Sequence, residues 1–136
     1  MEFDTRIKVV LREGLEAWQE LNVTAFLISG IAGTQDIVGE PYVDRDGVTY
    51  LPMSRQPIMI HSATGEQLRD LLKKALARED MAVTIFTEEL FGTYNDEDNR
   101  ASVAGFGTDE LNLVGIGLRG RKNAVDRLLK DVPLHK

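Results

Sequence analysis

Four short apolar runs in the chain predict β-strands, and the first of them has the pattern of a strand that is covered on both faces. They occupy residues 7–11 (IKVVL), 57–61 (PIMIH), 82–86 (AVTIF) and 111–117 (LNLVGIG). Short continuous apolar runs that are rich in β-branched residues are typical of the buried strands of α/β proteins. We therefore expect a four-stranded sheet at the centre of the fold.

A long helical segment follows the first run. One arc of its helical wheel is apolar and carries Leu15, Trp18, Leu21, Ala25, Phe26, Ile28 and Ala32. Glu16, Glu20 and Thr24 lie opposite, so the apolar arc is predicted to face the sheet. Gly30 and Gly33 are predicted to end the helix, because glycine tolerates the left-handed turn at a helix C-terminus.

Three further helices and a hairpin are predicted. A capping box at Thr64 and Gln67 begins the second helix. Its apolar face carries Leu68, Leu71, Leu72, Ala75 and Leu76. A short helix is capped by Asn95, and a closing helix covers residues 121–130. Residues 42–43 and 48–51 flank an Asp-Gly turn, which predicts a β-hairpin after the first helix.

The length of 136 residues predicts a single domain over residues 1–136. The alternation of strand and helix predicts an α/β fold with a mostly parallel sheet between helical layers. Ligands of such sheets bind beyond the carboxyl ends of the strands. Those ends are residues 12–13, 61–62 and 87–89. Arg119 would lie at the same edge of the sheet if the last strand runs in the same direction. Arg119, beside Arg121 and Lys122 at a helix N-terminus, is a candidate ligand of an anion, although such side chains are more often solvated.

Composition narrows the classes of function. The 136 residues are 43% hydrophobic, and 22 acidic residues against 16 basic ones give a formal charge of −6. This charge opposes binding to nucleic acid and to anionic membranes. The absence of cysteine excludes disulfides, thiolate nucleophiles and cysteine-ligated zinc. We see neither a signal peptide nor a membrane-spanning run and expect a soluble cytoplasmic protein.

Two motifs resemble ligand sites but have simpler explanations. GIGLRG, residues 115–120, matches the dinucleotide fingerprint, yet only 16 residues remain for the acidic strand that must follow it. Close helix-to-strand packing and a tight turn explain its glycines better. NDEDN, residues 95–99, alternates oxygen ligands, but Arg100 stands where a calcium loop needs glycine, so an acid-rich helix start is favoured.

The two histidines do not indicate a metal site. His61 and His135 are too few and too far apart in sequence for a histidine cluster. His61, at a strand end, is more often a hydrogen-bonded histidine than a proton shuttle. We predict neither a metal nor a cofactor.

Polar residues interrupt the apolar arc of the first helix at Asn22 and Ser29. A buried amide is costly unless its hydrogen bonds are made, so Asn22 should either be satisfied by its neighbours or line a cavity. Glu88, just after the third strand, is the nearest plausible carboxylate partner. The spacing does not decide between a structural clamp and a binding site.

Longer stretches of the chain resemble a known family. WQELNVTAFLISG, GEPYVDRDGVTYLPMSRQPIMI and TIFTEELFGTYNDEDNRASVAG resemble, over nearly the whole chain, an uncharacterised bacterial family known as domain of unknown function two thousand. That family is similar in fold to the peptidyl-tRNA hydrolase II-like superfamily, through KVVLREGL, VTAFLISG and LNLVGIGLRGRKNAVDRLLK. The resemblance implies a three-layer α/β/α fold with a four-stranded mixed sheet, an inserted hairpin and a cleft at the first helix.

The hydrolase resemblance also implies an enzyme that cuts the ester between a peptide and tRNA with a lysine, an aspartate and a threonine. These residues align with Asn22, Glu88 and, approximately, Asn112, so only the carboxylate is retained in kind. An asparagine lacks the positive charge that would stabilise an oxyanion or a phosphate. We therefore expect the tRNA chemistry to be lost.

Three functions remain open at this point. The first is the binding of a small ligand in the cleft, with Trp18 as a stacking face, Asn22 and Asn112 as hydrogen-bonding groups and Glu88 as an anchor. The second is a non-catalytic interaction module, a homodimer with an exposed aromatic patch on the hairpin and ELFGTY. The third is a diverged hydrolase of esters or amides with Glu88 as its catalytic base.

One structural observation separates the first two functions. An open pocket lined by Trp18, Asn22 and Glu88 would favour ligand binding. An exposed patch of Tyr42, Tyr50 and Phe91 would favour the interaction module.

Overall fold

The fold has six strands and four α-helices in the computed structural model, which describes residues 2–136. The strands are β1 (Thr5–Arg12), β2 (Tyr42–Val43), β3 (Thr49–Tyr50), β4 (Ile58–Ala63), β5 (Ala82–Thr87) and β6 (Leu113–Arg121). The helices are α1 (Ala17–Thr34), α2 (Gly65–Leu76), α3 (Asp96–Ala104) and α4 (Lys122–Leu128), with short 3-10 turns at Glu88–Gly92 and Thr108–Glu110. All four predicted strands are therefore confirmed, with β1 and β6 largely buried and β4 and β5 only partly buried.

The main sheet is mixed and has the strand order β4-β1-β6-β5. β1 pairs with β4 in parallel, whereas β6 lies between β1 and β5 and is antiparallel to both. Three strands thus run in one direction, but only one neighbouring pair is parallel. The prediction of a mostly parallel sheet is therefore wrong, because two of the three strand pairs are antiparallel. An apolar run has the same pattern in either direction, so the sequence did not reveal the reversal of β6.

Helices cover both faces of the sheet and give three layers. Val9 and Leu11 of β1 pack with Val23 of α1 on one face. Val10 packs on the other face with α2 and α4. Successive residues of a strand point to opposite faces, so a strand that is covered on both sides needs a continuous apolar run.

α1 buries a different face from the predicted one. Its fully buried residues are Val23, Leu27 and Ile31, none of which belongs to the predicted arc. Trp18 and Phe26 are instead more than half exposed. The helix is apolar on nearly all sides, so its periodicity did not identify the face that packs on the sheet.

Glycines allow α1 to lie close to β5 and β6. A Cβ atom on Gly115 would lie 2.6 Å from Cγ1 of Val23, and one on Gly30 would lie 2.8 Å from Cγ2 of Thr84. The Thr84 hydroxyl donates a hydrogen bond of 3.0 Å to the Leu27 carbonyl. Helix-to-strand packing by the glycines of GIGLRG is confirmed, although they lie within β6 and not in a turn after it. Gly30 is likewise a packing position inside α1, which ends at Thr34.

The predicted capping box of the second helix and the predicted β-hairpin are both confirmed. The Thr64 hydroxyl accepts a hydrogen bond from the Gln67 amide at 3.1 Å, and Gln67 Oε1 accepts one from the Thr64 amide at 2.9 Å. Leu76 is exposed at the end of α2, contrary to prediction. β2 and β3 form a separate two-stranded sheet whose turn contains Gly47 with φ +85°. None of the helices formed by residues 2–136 has both the length and the apolar character needed to cross a membrane.

Candidate ligand-binding cleft beside the first helix

A groove lies between α1 and α3. It consists of two adjoining cavities of about 370 and about 490 Å³. The cavities share the lining residues Phe26, Phe86, Leu90, Asp96 and Asn99, and we call the continuous groove the aromatic cleft. It lies on the face of the sheet covered by α1, next to the edge strand β5.

One stripe of α1 lines the aromatic cleft. Trp18, Asn22 and Phe26 follow one another at intervals of four residues, which places them along one side of a helix. Asn22 is exposed to the cleft and not buried, so its amide needs no internal partner. Of the two possibilities that the sequence left open, the structure shows Asn22 lining a cavity. Ser29 is also exposed, and its hydroxyl donates to the Phe26 carbonyl at 2.6 Å.

Four aromatic rings form a continuous wall in the cleft. The ring centroids of Trp18 and Phe91 are 5.6 Å apart at an interplanar angle of 69°. Phe91 and Phe86 are 5.1 Å apart, and Phe86 and Phe26 are 5.8 Å apart. These separations are in the range where aromatic pairs attract one another. Phe86 was not predicted as a site residue, because it lies in a continuous apolar run, and such a run does not indicate which face of the strand a side chain occupies.

The opposite wall is polar and belongs to α3 and the loop before it. Asn95 accepts a hydrogen bond of 2.8 Å from the Asp98 amide and caps α3, as predicted for NDEDN. The Thr93 hydroxyl donates to the Asn99 side chain, and Arg100 pairs with Asp96 one turn earlier in α3. The cleft therefore combines an aromatic wall with amides on both sides and an ion pair of balanced charge.

Glu88 and Asn112 lie outside the aromatic cleft, in a separate polar cluster at the ends of β1 and β5. Glu88 pairs with Arg12 at 3.2 Å and not with Asn22. The Asn112 side chain donates a hydrogen bond of 2.7 Å to Glu89 Oε2. The Glu88 side chain is 58% exposed, so it lacks the burial that a carboxylate base in a water-excluded site would have. The structure thus brings Trp18 and Asn22 together but does not add Glu88 to them.

Arg119 lies at the other end of the sheet. It is opposite Ile7 and Ala82, near the starts of β1 and β5, because β6 runs antiparallel to both strands. Its Nη1 donates to Gln35 Oε1 at 3.1 Å, and its Nε is buried without a partner among residues 2–136. The last strand does not run in the direction that this placement required, so Arg119 does not lie at the same edge as Glu88. Within residues 2–136, no group of three or more histidine or acidic side chains is arranged to hold a metal ion.

Comparison with known proteins identifies relatives without an assigned function. The sequence profile of a family described as "Protein of unknown function (DUF2000)" matches residues 5–136. A solved structure of a protein of unknown function from Agrobacterium tumefaciens strain C58 is similar, with a TM-score of 0.93 and 42% sequence identity. The alignment covers 99% of this chain and 100% of that one. No curated protein matches the chain.

Proposed function

The chain belongs to the DUF2000 family of proteins of unknown function, and from that premise we propose that it binds a small ligand in the aromatic cleft. The observation that carries the proposal is the exposed stripe of Trp18, Asn22 and Phe26 in a concave groove. Large aromatic side chains that remain in contact with water beside a few polar groups are typical of ligand sites. Asn22 would then orient the ligand that the rings bind.

The lining of the cleft indicates the class of ligand. The rings of Trp18, Phe91 and Phe26 favour a planar, largely apolar group that can stack or insert between them. Asn22 and Asn99 each offer both a donor and an acceptor, which suits an amide or an ester. Because Arg100 is paired with Asp96, the rim supports neither a strongly anionic nor a strongly cationic ligand.

Trp18 provides a direct test because it is the only tryptophan in the chain. A library of aromatic carboxamides and aromatic esters would be screened by thermal shift, and each hit titrated by Trp18 fluorescence. We expect Asn22→Leu to weaken binding by roughly 2- to 10-fold, the effect of losing one neutral hydrogen bond. Asn123→Leu, at an exposed position of α4, is the matched control and should bind like the unsubstituted protein.

Two results would oppose this proposal. One is a library that neither stabilises the protein nor changes Trp18 fluorescence. The other is equal affinity of Asn22→Leu and Asn123→Leu for every hit.

A second candidate function is self-association through the hairpin. Tyr42, Tyr50 and Met53 are exposed, and Leu51 is 88% exposed. Phe91 does not belong to this patch, because it packs against Trp18 in the aromatic cleft. Light scattering after size exclusion should show a dimer that Leu51→Ser dissociates and Leu76→Ser, on exposed α2 surface, does not. A monomer at all concentrations measured would rule this function out.

A relation to the peptidyl-tRNA hydrolase II-like superfamily remains a prediction, and we infer that tRNA cleavage is not retained. Asn22 provides no cation, Glu88 is paired with Arg12, and the formal charge of −6 opposes binding to tRNA. Incubation with peptidyl-tRNA should therefore release no free tRNA. Release that is abolished by Glu88→Gln would contradict this inference.

A further inference from the structure

A second cluster of functional side chains lies on the other side of α1 from the aromatic cleft. Oγ of Ser62 lies 2.7 Å from Nδ1 of His135. Nε2 of the same ring lies 2.7 Å from Oε2 of Glu20. A hydroxyl, an imidazole and a carboxylate thus form one uninterrupted chain of hydrogen bonds, built from β4, the C-terminal residues and α1.

Backbone pairing places His135 in this cluster. The last residues run along the free edge of β4, where the Ser62 amide donates to the Pro133 carbonyl at 3.0 Å. The His135 amide donates to the Ile60 carbonyl at 2.9 Å, and Leu134 forms an antiparallel bridge with His61. Because these backbone bonds already hold the segment, the side-chain network is not needed to anchor it.

When His135 is neutral and Glu20 is ionised, the chemistry of the three groups fixes the direction of the hydrogen bonds. An ionised carboxylate can only accept hydrogen bonds, so Nε2 of a neutral His135 carries the ring proton and donates a hydrogen bond to Glu20. Nδ1 is then unprotonated and accepts from the Ser62 hydroxyl. This is the order of nucleophile, general base and orienting carboxylate that activates serine for covalent catalysis.

An apolar cavity adjoins the imidazole. It has a volume of about 430 Å³ and is lined by Leu11, Ala17, Glu20, Leu21, Thr24, Ala25, Ile60 and His135. The side chains of His135 and Glu20 retain 33% and 23% exposure, so water reaches the cluster. The cavity is large enough for an apolar acyl group. Ser62 does not line it and lies beside it, one hydrogen bond away on the Nδ1 side of His135, so the carbonyl of the bound ester would have to extend past the imidazole to reach the hydroxyl.

We propose that Ser62, His135 and Glu20 form a hydrolytic site for esters of apolar carboxylic acids. Oγ of Ser62 forms a bond to the carbonyl carbon while its proton passes to Nδ1 of His135. The bond from the carbonyl carbon to the leaving oxygen then breaks, and the imidazole returns the proton to the alcohol. Water attacks the acyl-serine with the same proton transfers and releases the acid, so one ester and one water give one acid and one alcohol.

The roles of the three residues differ. Ser62 and His135 are catalytic residues because they contact the reacting atoms. Glu20 is a positioning residue, because it acts on the substrate only through the imidazole. The proposal does not depend on the aromatic cleft, since Glu20 and Thr24 lie on another side of α1 from Trp18 and Asn22.

The test uses the full chain and two probes. A fluorophosphonate should form one covalent adduct, which peptide mass spectrometry assigns to Ser62, and the protein should hydrolyse p-nitrophenyl butyrate. Ser62→Ala should abolish both reactions, and His135→Gln should slow them by about 100-fold or more. Glu20→Gln should lower kcat with little change in KM. Ser102→Ala, on α3, is the matched control and should leave both reactions unchanged.

Thermal melting of the variants distinguishes a loss of catalysis from a loss of folding. Ser62→Ala removes one oxygen and retains the backbone bonds of β4, so its melting temperature should stay close to that of the unsubstituted protein. The proposal is overturned if no adduct forms, if the adduct lies on another residue, or if His135→Gln reacts as fast as the unsubstituted protein.

Discussion

Gly115 determines, at the scale of single residues, how closely α1 approaches the sheet. A methyl group there would lie 2.6 Å from Cγ1 of Val23 and 3.0 Å from Cδ1 of Leu27, so the helix would have to shift. We expect Gly115→Ala to lower the free energy of unfolding by about 1–3 kcal/mol, the usual cost of overpacking a core. Urea denaturation measures the change.

Gly33 supplies the matched control for Gly115. It is exposed on α1, and no atom lies within 4 Å of a Cβ built on it. Gly33→Ala should raise the free energy of unfolding by about 0.5–1 kcal/mol, because alanine loses less backbone entropy in a helix. Equal effects of the two substitutions would contradict the close packing of α1 on β6.

His61 links the stability of the fold to pH. It is 7% exposed, and its Nδ1 donates to the Val132 carbonyl at 2.9 Å. A second proton would go to Nε2, which is buried without a partner among residues 2–136. Burial therefore lowers the pKa of His61, and the nearby charge of Lys8 acts in the same direction.

A lowered pKa in the folded state fixes the sign of the pH effect. The contribution of neutral His61 to stability is complete above the pKa of the unfolded chain and is lost as the pH falls through the folded value. From about pH 7.5 to about pH 5.5, the free energy of unfolding should fall more in the unsubstituted protein than in His61→Gln. Equal losses in the two proteins would show that His61 is not the titrating group.

The role of a residue could be predicted where it depends on residues close to it in the sequence. Asn95 and Thr64 cap helices within three positions of themselves, and both assignments are confirmed. The end of the sheet at which Arg119 lies could not be predicted, because it depends on the direction of a whole strand. Ser62 and His135 are 73 positions apart, and no local pattern indicates that the C-terminal residues pair with β4.

Among the helices, the buried face can be predicted when one face is apolar and the other faces are charged. α2 has one apolar face between charged ones, and Leu68, Leu71 and Leu72 are buried as predicted. α1 buries only Val23, Leu27 and Ile31. It presents other apolar residues to the aromatic cleft and to the apolar cavity beside His135. The apolar surface that α1 leaves exposed explains why its buried face was predicted wrongly, and the same surface makes the helix a candidate for function.

The C-terminal segment along β4 is the element whose removal is most informative. Deleting residues 133–136 would remove the backbone bonds to Ser62 and Ile60 together with the imidazole of His135. We expect the free energy of unfolding to fall by about 1–3 kcal/mol, the contribution of two backbone hydrogen bonds. Urea denaturation measures this loss, and fluorophosphonate labelling of Ser62 should disappear with it.

His135→Gln in the full chain is the control for this deletion. It keeps the backbone bonds and removes only the imidazole, so labelling should again be slowed by about 100-fold or more, with a smaller change in stability than the deletion causes. Unchanged stability of the shortened chain would mean that the last residues do not pair with β4.

At the scale of the whole molecule, the order of the strands governs which parts open last. β1 and β6 are the inner strands, with hydrogen-bonded neighbours on both edges and helices on both faces. Among residues 2–136, no strand pairs with the outer edge of β5, whereas the outer edge of β4 is covered by the C-terminal residues. The sequence predicted the four strands and their layers, but this order arises from contacts between distant segments.

Hydrogen exchange followed by mass spectrometry tests the order directly. Amides of the inner strands should exchange only on global unfolding, while those of the fully exposed hairpin, residues 42–50, should exchange fastest. Deleting residues 133–136 should accelerate exchange in β4, which loses its outer cover, and leave β5 unchanged. Faster exchange in β6 than in β5 would contradict the central position of β6 in the sheet.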